Sequence, residues 1–125
     1  MNKYGFHESA WAAAKREARR QLIGVARQRD TIAYSDLVTH IHSITIEHHD
    51  PRIAHFLGEI SEAEDTAGRG LLTAVVTHKT GDKLPGPGFF ELAQRRHRDT
   101  SDLPRCWATE VARVHDYWED RQQET

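Results

Sequence analysis

The spacing of apolar residues predicts a long helix at each end of the chain. Between residues 8 and 29, apolar side chains recur at helical spacing on one stripe, namely Trp11, Ala14, Ala18, Leu22 and Val25. Ser9 is a suitable N-cap for this first helix, and its basic residues lie mostly off the apolar stripe. A second stripe predicts the last helix, namely Trp107, Val111, Val114 and Trp118.

Two further helices are predicted in the first half of the chain. Thr31–Tyr34 reads as a short extended segment, after which Ser35 caps a helix. Asp50–Pro51, a capping acid followed by a proline, predicts the start of a third helix. Its apolar residues follow the i, i+3, i+4, i+7 pattern, namely Ile53, Phe56, Leu57 and Ile60. Ser61–Glu64 has the form of a capping box and predicts a kink and restart of this helix.

The apolar run Leu71–Thr77 is the best strand candidate, and its lack of alternation predicts burial of both faces. Gly68–Gly70 ends the preceding helix. Thr80–Asp82 predicts a turn, and Lys83–Leu84 then begins a short return strand. Pro85–Gly88 excludes regular structure and leads the chain into another helix.

The order helix, short strand, helix, helix, strand, turn and strand is that of a winged helix-turn-helix. The predicted fold class is therefore α+β: winged-helix-like and mostly helical, with a small antiparallel β-hairpin as the wing. Residues 1–125 form a single domain in this interpretation, with frayed ends at residues 1–7 and 119–125.

Two resemblances accompany this pattern. The segment Thr31–Leu37, TIAYSDL, resembles the strand-to-helix junction of winged-helix domains such as the C-terminal domain of alkylguanine-alkyltransferase-like proteins. The Pro-Cys-His-Arg active-site motif of those proteins is absent, so alkyl transfer is not implied. The pattern GRGLLTAVV…PGPGFFELA is similar to a group of small uncharacterised bacterial proteins, and this likeness implies one compact domain without indicating a mechanism.

Composition narrows the function classes. Charged residues make up 29% of the chain and the formal net charge is −2, which excludes a strongly basic nucleic-acid-binding protein and an acidic tail protein. Cys106 is the single cysteine, so no intramolecular disulfide or cysteine-based zinc site can form. The N-terminus lacks the apolar run of a signal peptide, and Leu71–Val76 is too short to span a bilayer. A soluble, cytoplasmic protein without a membrane partner is expected.

Basic residues near the predicted hairpin and the following helix are candidates for contact with a nucleic-acid backbone. They are His78, Lys79, Lys83, Arg95, Arg96 and Arg98. Ordinary surface charge is the alternative interpretation. An acidic run on the third helix opposes groove reading by that helix, because a solvated acidic face would repel phosphates. It consists of Glu59, Glu62, Glu64 and Asp65.

Two other groups are candidate sites. Arg69, Gly86, Gly88 and Phe89 are candidates for an anion or partner pocket near a helix N-terminus. In the alternative, Arg69 pairs with Glu59 or Asp65, and the glycines let the phenylalanines reach the core. His48 and His49 are candidate metal ligands, with a polar surface loop as the alternative. No cofactor is expected.

These signals leave more than one function open. The leading hypothesis is a small non-catalytic binding domain that contacts nucleic-acid backbone or serves as an accessory subunit of a nucleic-acid enzyme. A second hypothesis is a protein–protein interaction module or homodimer, with Trp11, Trp107 and Trp118 at the interface. A third is a small metal-dependent hydrolase that uses the histidine cluster.

Overall fold

The chain begins with a two-stranded antiparallel hairpin that the sequence does not predict. In the computed structural model, which describes residues 2–121, β1 (Asn2–Lys3) pairs with β2 (Phe6–His7). Tyr4 stacks on His55, with ring centroids 4.8 Å apart, so the hairpin lies against the third helix. This hairpin occupies most of the segment predicted to fray. Residue 1 and residues 122–125 lie outside the described part of the chain, so the prediction that they fray falls outside the described residues.

The two long terminal helices are confirmed. Helix α1 spans Glu8–Arg27 and α5 spans Leu103–Glu119, and the two pack against each other. The N-cap of α1 is His7 and not Ser9: Nδ1 of His7 accepts a hydrogen bond from the Ser9 backbone N–H at 3.2 Å. Both predicted stripes are largely buried. Helix α5 ends at Glu119, the first residue of the C-terminal segment that was predicted to fray.

The middle of the chain follows the predicted order with shifted boundaries. Strand β3 (Ile32–Ala33) leads directly into the short helix α2 (Tyr34–Leu37), which continues as a 3₁₀ turn over Val38–His40. Helix α3 spans Ile53–Thr66. Asp50 lies two residues before Arg52, the N-cap residue of α3, and its carboxylate accepts the Arg52 N–H at 2.9 Å, so the predicted capping acid lies ahead of the N-cap position. Helix α3 is continuous through Ser61, so the predicted restart there is wrong.

The predicted strand Leu71–Thr77 is mostly wrong, although its complete burial is confirmed. Leu72–Val75 forms a 3₁₀ turn, and only Val76–Thr77 forms a strand, β4, which pairs in parallel with β3. Helical side chains bind the backbone polar groups of this segment in place of a neighbouring strand. The contacts are Glu110 with the Leu71 N–H (2.8 Å), Ser61 with the Thr73 N–H (2.9 Å), and Trp107 Nε1–H with the Ala74 carbonyl (2.8 Å).

The predicted antiparallel wing is also wrong within residues 2–121. Lys83–Leu84 forms no strand, and the backbone hydrogen bond that links the two sides of the loop runs from His78 N–H to Leu84 O, at 3.0 Å. Helix α4 spans Pro87–Arg95, so the helix predicted after the Pro–Gly segment is confirmed, but Pro87 and Gly88 belong to its first turn and the predicted exclusion of regular structure there is wrong. The fold is therefore α+β, with helices around a buried central segment. None of the helices in residues 2–121 combines the length and apolar character needed to cross a bilayer.

Candidate functional site

A cleft of about 390 Å³ lies between α3 and α4. Its walls are largely apolar and come mainly from these two helices, with Ile53 and Leu57 on α3, and Phe89 and Leu92 on α4. All of these side chains are also part of the buried core, so the cleft is an opening into the core and not a surface dimple. Its size is at the lower end of the range for small-molecule sites.

Small residues bring the two helices together at one end of the cleft. A Cβ atom placed on Gly88 would lie 2.9 Å from Cβ of Ala54, closer than real carbon contacts allow. Gly88 is therefore required by the approach of α4 to α3. Gly58 follows Ala54 by one helical turn and also lines the cleft, but a Cβ there would meet no atom within 4 Å. Part of the α3 wall is therefore formed by the small residues Ala54 and Gly58, and open space remains beside Gly58.

The rim of the cleft carries aromatic polar groups. Oη of Tyr34 accepts a hydrogen bond from the Gly86 backbone N–H at 2.8 Å. The Tyr34 ring packs on the His78 ring, with centroids 5.2 Å apart. Burial raises the pKa of the Tyr34 phenol, against the opposing effect of the Gly86 hydrogen bond, so the phenol is protonated at neutral pH. Tyr34 therefore keeps a hydroxyl proton to donate.

Only three of the four residues of the predicted anion or partner pocket lie together in the structure. Gly86, Gly88 and Phe89 all line the cleft, whereas Arg69 does not. The Arg69 guanidinium instead binds the Glu64 carboxylate through two hydrogen bonds, of 2.9 and 2.7 Å. The alternative interpretation, in which Arg69 pairs with an acid of the fold, therefore agrees with the structure, but the acid is Glu64 and not Glu59 or Asp65.

Three of the four acids of the run on α3, namely Glu59, Glu64 and Asp65, form ion pairs within the fold, contrary to the predicted solvated face, whereas Glu62 is exposed as predicted. Glu64 is only 2% exposed and binds both Arg19 and Arg69. Burial alone would raise the pKa of Glu64, but the hydrogen bonds from Arg69 and Arg19 outweigh it and hold the pKa below its ordinary value. Glu59 receives hydrogen bonds from Trp11 and Lys15, both at 2.9 Å. These carboxylates tie α3 to α1 and are not directed at a ligand.

The same network engages two of the predicted nucleic-acid contacts in ion pairs and partly buries them. Arg98 binds Asp65 at 2.8 Å and Glu110 at 2.9 Å, and Arg96 binds Asp65 at 2.9 Å. The hydrogen bonds from Arg98, opposed by burial and reinforced by Arg96, lower the pKa of Asp65. Arg96 and Arg98 are therefore structural partners of the acids, and their guanidinium groups are engaged within the fold.

The remaining predicted basic residues are exposed. His78, Lys79 and Lys83 belong to the loop between β4 and α4, and Arg95 lies in the last turn of α4. Lys79 approaches Asp36 at 3.9 Å, and both side chains are largely exposed. These side chains are free to meet a charged partner, but His78 also lines the cleft.

His48 and His49 lie at the cleft and not in a metal cluster. Their rings meet edge to face with centroids 5.1 Å apart, and Nε2 of His49 lies 3.0 Å from Glu47. Residues 2–121 contain no group of three or more histidine, cysteine or acidic side chains able to hold a metal ion. His48 and His49 are exposed in the loop before α3, which agrees with the alternative interpretation, and they line the same cleft as Tyr34 and His78, a position that the sequence does not predict.

The tryptophans proposed for an interface are used within the domain. Trp11 and Trp118 are each 2% exposed, and the indole of Trp107 donates to the Ala74 carbonyl. These positions do not support an interface built on the three indoles. The cleft residues Tyr34, Ala54 and Gly58 were not predicted. The sequence signal for Ala54 and Gly58 is that two small residues lie one turn apart between the large apolar residues of the first half of α3.

No family model matches the chain, and no curated protein or solved structure matches it significantly. The function therefore has to be inferred from its own residues.

Proposed function

We propose that this protein is a binding domain that holds a small, mostly apolar molecule in the cleft between α3 and α4. The observation that carries the proposal is the cleft itself, about 390 Å³ of space whose walls open into the hydrophobic core. Concave apolar sites with a few polar groups at one side are typical of small-molecule binding sites.

The energetic basis is burial of the apolar surface of the ligand. A compound in the cleft removes its own apolar atoms from water, at about 25 cal/mol per Å², whereas the wall residues Leu57, Phe89 and Leu92 are already buried and add little. The core residues that form the walls are held by packing on their far sides, so little ordering is required when a ligand enters.

Two helical glycines provide a matched test. Gly58 lines the cleft and Gly24 lies on the exposed side of α1, and a Cβ at either position would meet no atom within 4 Å. Gly58→Leu should fill the cleft, whereas Gly24→Leu makes the same change away from it. Backbone amide shifts are recorded by NMR during titration with n-propylbenzene.

We expect n-propylbenzene to shift amides of α3 and α4 in the unmodified protein and in Gly24→Leu, and to leave Gly58→Leu unchanged. The far-ultraviolet circular dichroism of both variants should match that of the unmodified protein. Absence of binding to the unmodified protein, or equal binding to a correctly folded Gly58→Leu variant, would refute the proposal.

Contact with nucleic-acid backbone is a second candidate function, favoured by the exposed basic side chains at positions 78, 79, 83 and 95. In this proposal the β3–α2 junction and α3 are arranged in a winged-helix-like way, and the loop of residues 78–84 takes the place of the wing. The acids of α3 are mostly paired internally, so their repulsion of phosphates is weaker than the sequence implies.

This candidate is tested by the salt dependence of binding to a labelled 20-base-pair DNA duplex. The double variant Lys79→Glu/Lys83→Glu should lower both the affinity and the salt slope, since each lost phosphate contact reduces the slope by about 0.9. The control is Arg16→Glu/Arg20→Glu on the exposed face of α1. Binding that is absent at 20 mM salt, or equally weakened by both double variants, contradicts a specific role for the loop.

A further inference from the structure

The polar groups at the rim of the cleft, Tyr34, His78 and the Gly86 backbone, indicate the chemical class of the ligand. This inference rests on the function proposed above. We infer that the ligand carries a carboxylate on its apolar body, and that this group binds between Tyr34 and His78 above Gly86. The ligand class is therefore a small aromatic or aliphatic carboxylic acid, and not a neutral hydrocarbon or an amine.

The first support is geometric. The position that a Cβ on Gly86 would occupy lies 3.5 Å from Oη of Tyr34 and 3.6 Å from Nε2 of His78. Two polar atoms thus converge on the side of Gly86 that carries no side chain. A ligand oxygen that contacts Gly86 on that side, farther out than the Cβ position, would approach both groups after small side-chain adjustments.

The second support is the hydrogen-bonding state of Tyr34. Its oxygen already accepts from the Gly86 N–H, and within residues 2–121 its hydroxyl proton has no acceptor. Because burial raises the pKa of Tyr34, that proton is retained at neutral pH. A phenol that accepts from the backbone and still has its O–H to donate is complemented by an acceptor group on a ligand.

The third support is charge. Among the described residues that line the cleft, none is Asp, Glu, Lys or Arg, and the ionisable groups are Tyr34 and the histidines at positions 48, 49 and 78. An anionic group therefore meets no carboxylate in the lining, and any protonated imidazole there attracts it. An amine would find no carboxylate partner in this lining.

The probes for the test share one apolar body and differ only in charge: 4-ethylbenzoate, 4-ethylbenzamide and 4-ethylbenzylamine. Each is titrated into the full chain at pH 7 and followed by backbone amide shifts. We expect 4-ethylbenzoate to bind about tenfold or more tightly than 4-ethylbenzylamine, the effect of one charge-assisted hydrogen bond. The amide, which has a neutral acceptor, should fall between them.

Gly86→Ala tests the convergence point directly. Gly86 has φ of −72° and ψ of 174°, which alanine adopts freely, and the added methyl group would sit at ordinary contact distances. The variant should therefore fold normally while it occupies the point. We expect it to lower the affinity for 4-ethylbenzoate about tenfold and to leave that for 4-ethylbenzylamine unchanged. Gly24→Ala is the control for the substitution itself.

His78→Phe supplies a second variant, because it retains a ring against Tyr34 and removes Nε2. It should reduce the preference for 4-ethylbenzoate in the same way. If the three probes bind the unmodified protein with equal affinity, or if Gly86→Ala and His78→Phe both keep the preference, the inference is wrong while binding of an apolar ligand in the cleft stands. If n-propylbenzene does not bind the unmodified protein, the proposed function fails as well.

Discussion

Arg98 and Glu110 form a two-pronged ion pair, with Nε to Oε1 and Nη2 to Oε2 both at 2.9 Å. The pair joins the loop after α4 to α5, and Oε2 of Glu110 also accepts the Leu71 N–H at 2.8 Å. Because the guanidinium binds Asp65 as well, one side chain connects α3, the α4–α5 loop and α5. These contacts fix the position of the segment around which the helices pack.

Loss of Arg98 should strongly destabilise the fold. Arg98→Met leaves the carboxylates of Asp65 and Glu110, of which Glu110 is 2% exposed, without their shared partner. Breaking a buried pair in this way lowers the free energy of unfolding by about 3–5 kcal/mol. Urea denaturation followed by circular dichroism measures the change. Arg95→Met, at an exposed position on α4, should stay within about 0.5 kcal/mol, and equal effects of the two variants would contradict this role of Arg98.

Acid should destabilise the protein through Glu64 and Asp65. Their folded-state pKa values lie below the ordinary values of 4.5 and 3.8. The stabilisation is therefore fully present above those ordinary values and is lost as the pH falls through the folded-state pKa values. Urea denaturation between pH 7 and pH 3 should show this decline. Glu64→Gln should be less stable at pH 7 and should show a shallower decline; a slope as steep as that of the unmodified protein would exclude Glu64 as a contributor.

Gly88→Ala should destabilise the protein by forcing α4 away from α3. The added methyl group meets Cβ of Ala54 at 2.9 Å, and such overpacking costs about 1–3 kcal/mol. Ala54→Gly removes the opposing atom, so the double variant should recover part of the loss. A double-mutant cycle from thermal or urea unfolding measures the coupling. Strict additivity of the two substitutions would show that this contact does not limit the approach of the helices.

Ser61→Ala should reveal the cost of an unsatisfied backbone group. Oγ of Ser61 accepts the Thr73 N–H at 2.9 Å and shares a hydrogen bond with the Thr73 hydroxyl, and Ser61 is fully buried. Its removal should lower the free energy of unfolding by about 1–3 kcal/mol. Ser101→Ala, in an exposed loop, serves as the comparison. A difference of less than 0.5 kcal/mol between the two variants in urea denaturation would contradict the expected contribution of Ser61.

Cys106 should react slowly with thiol reagents while the protein is folded. It is 6% exposed, and burial, assisted by the nearby charge of Glu110, raises the pKa of its thiol. Labelling by 5,5′-dithiobis(2-nitrobenzoate) at pH 8 should therefore be slow and should accelerate in urea along the unfolding transition. Rapid labelling without denaturant would show that this end of α5 opens locally.

Local patterns were sufficient for the helices. The stripe of α1, the Asp50–Pro51 start of α3 and the Pro–Gly start of α4 each depend on residues within a few positions of one another. The capping-box pattern at Ser61 misled because its serine is engaged by Thr73, which lies on the following segment. A local rule cannot account for a partner that only folding brings near.

In the apolar run Leu71–Thr77, too, one property follows from the local sequence and another depends on partners that folding brings near. Its composition correctly predicts burial of every residue. Its conformation depends on Glu110 and Trp107, far along the chain, which bind backbone groups that a neighbouring strand would otherwise bind. The candidate site follows the same rule: Gly86, Gly88 and Phe89 could be selected from their Pro–Gly setting, but Tyr34 and Gly58 join them only across the fold.

By itself, the sequence determined where helices form, which faces are apolar, and that a helix follows the Pro–Gly bend, because these properties depend on neighbouring residues. Tertiary structure decided the roles of the charged residues. Arg69, Arg96 and Arg98 form ion pairs with Glu64 and Asp65 of α3, because the fold brings these acids within contact distance of the three guanidinium groups. It also decided the cleft, because an empty space between two helices depends on how closely their small residues allow them to approach.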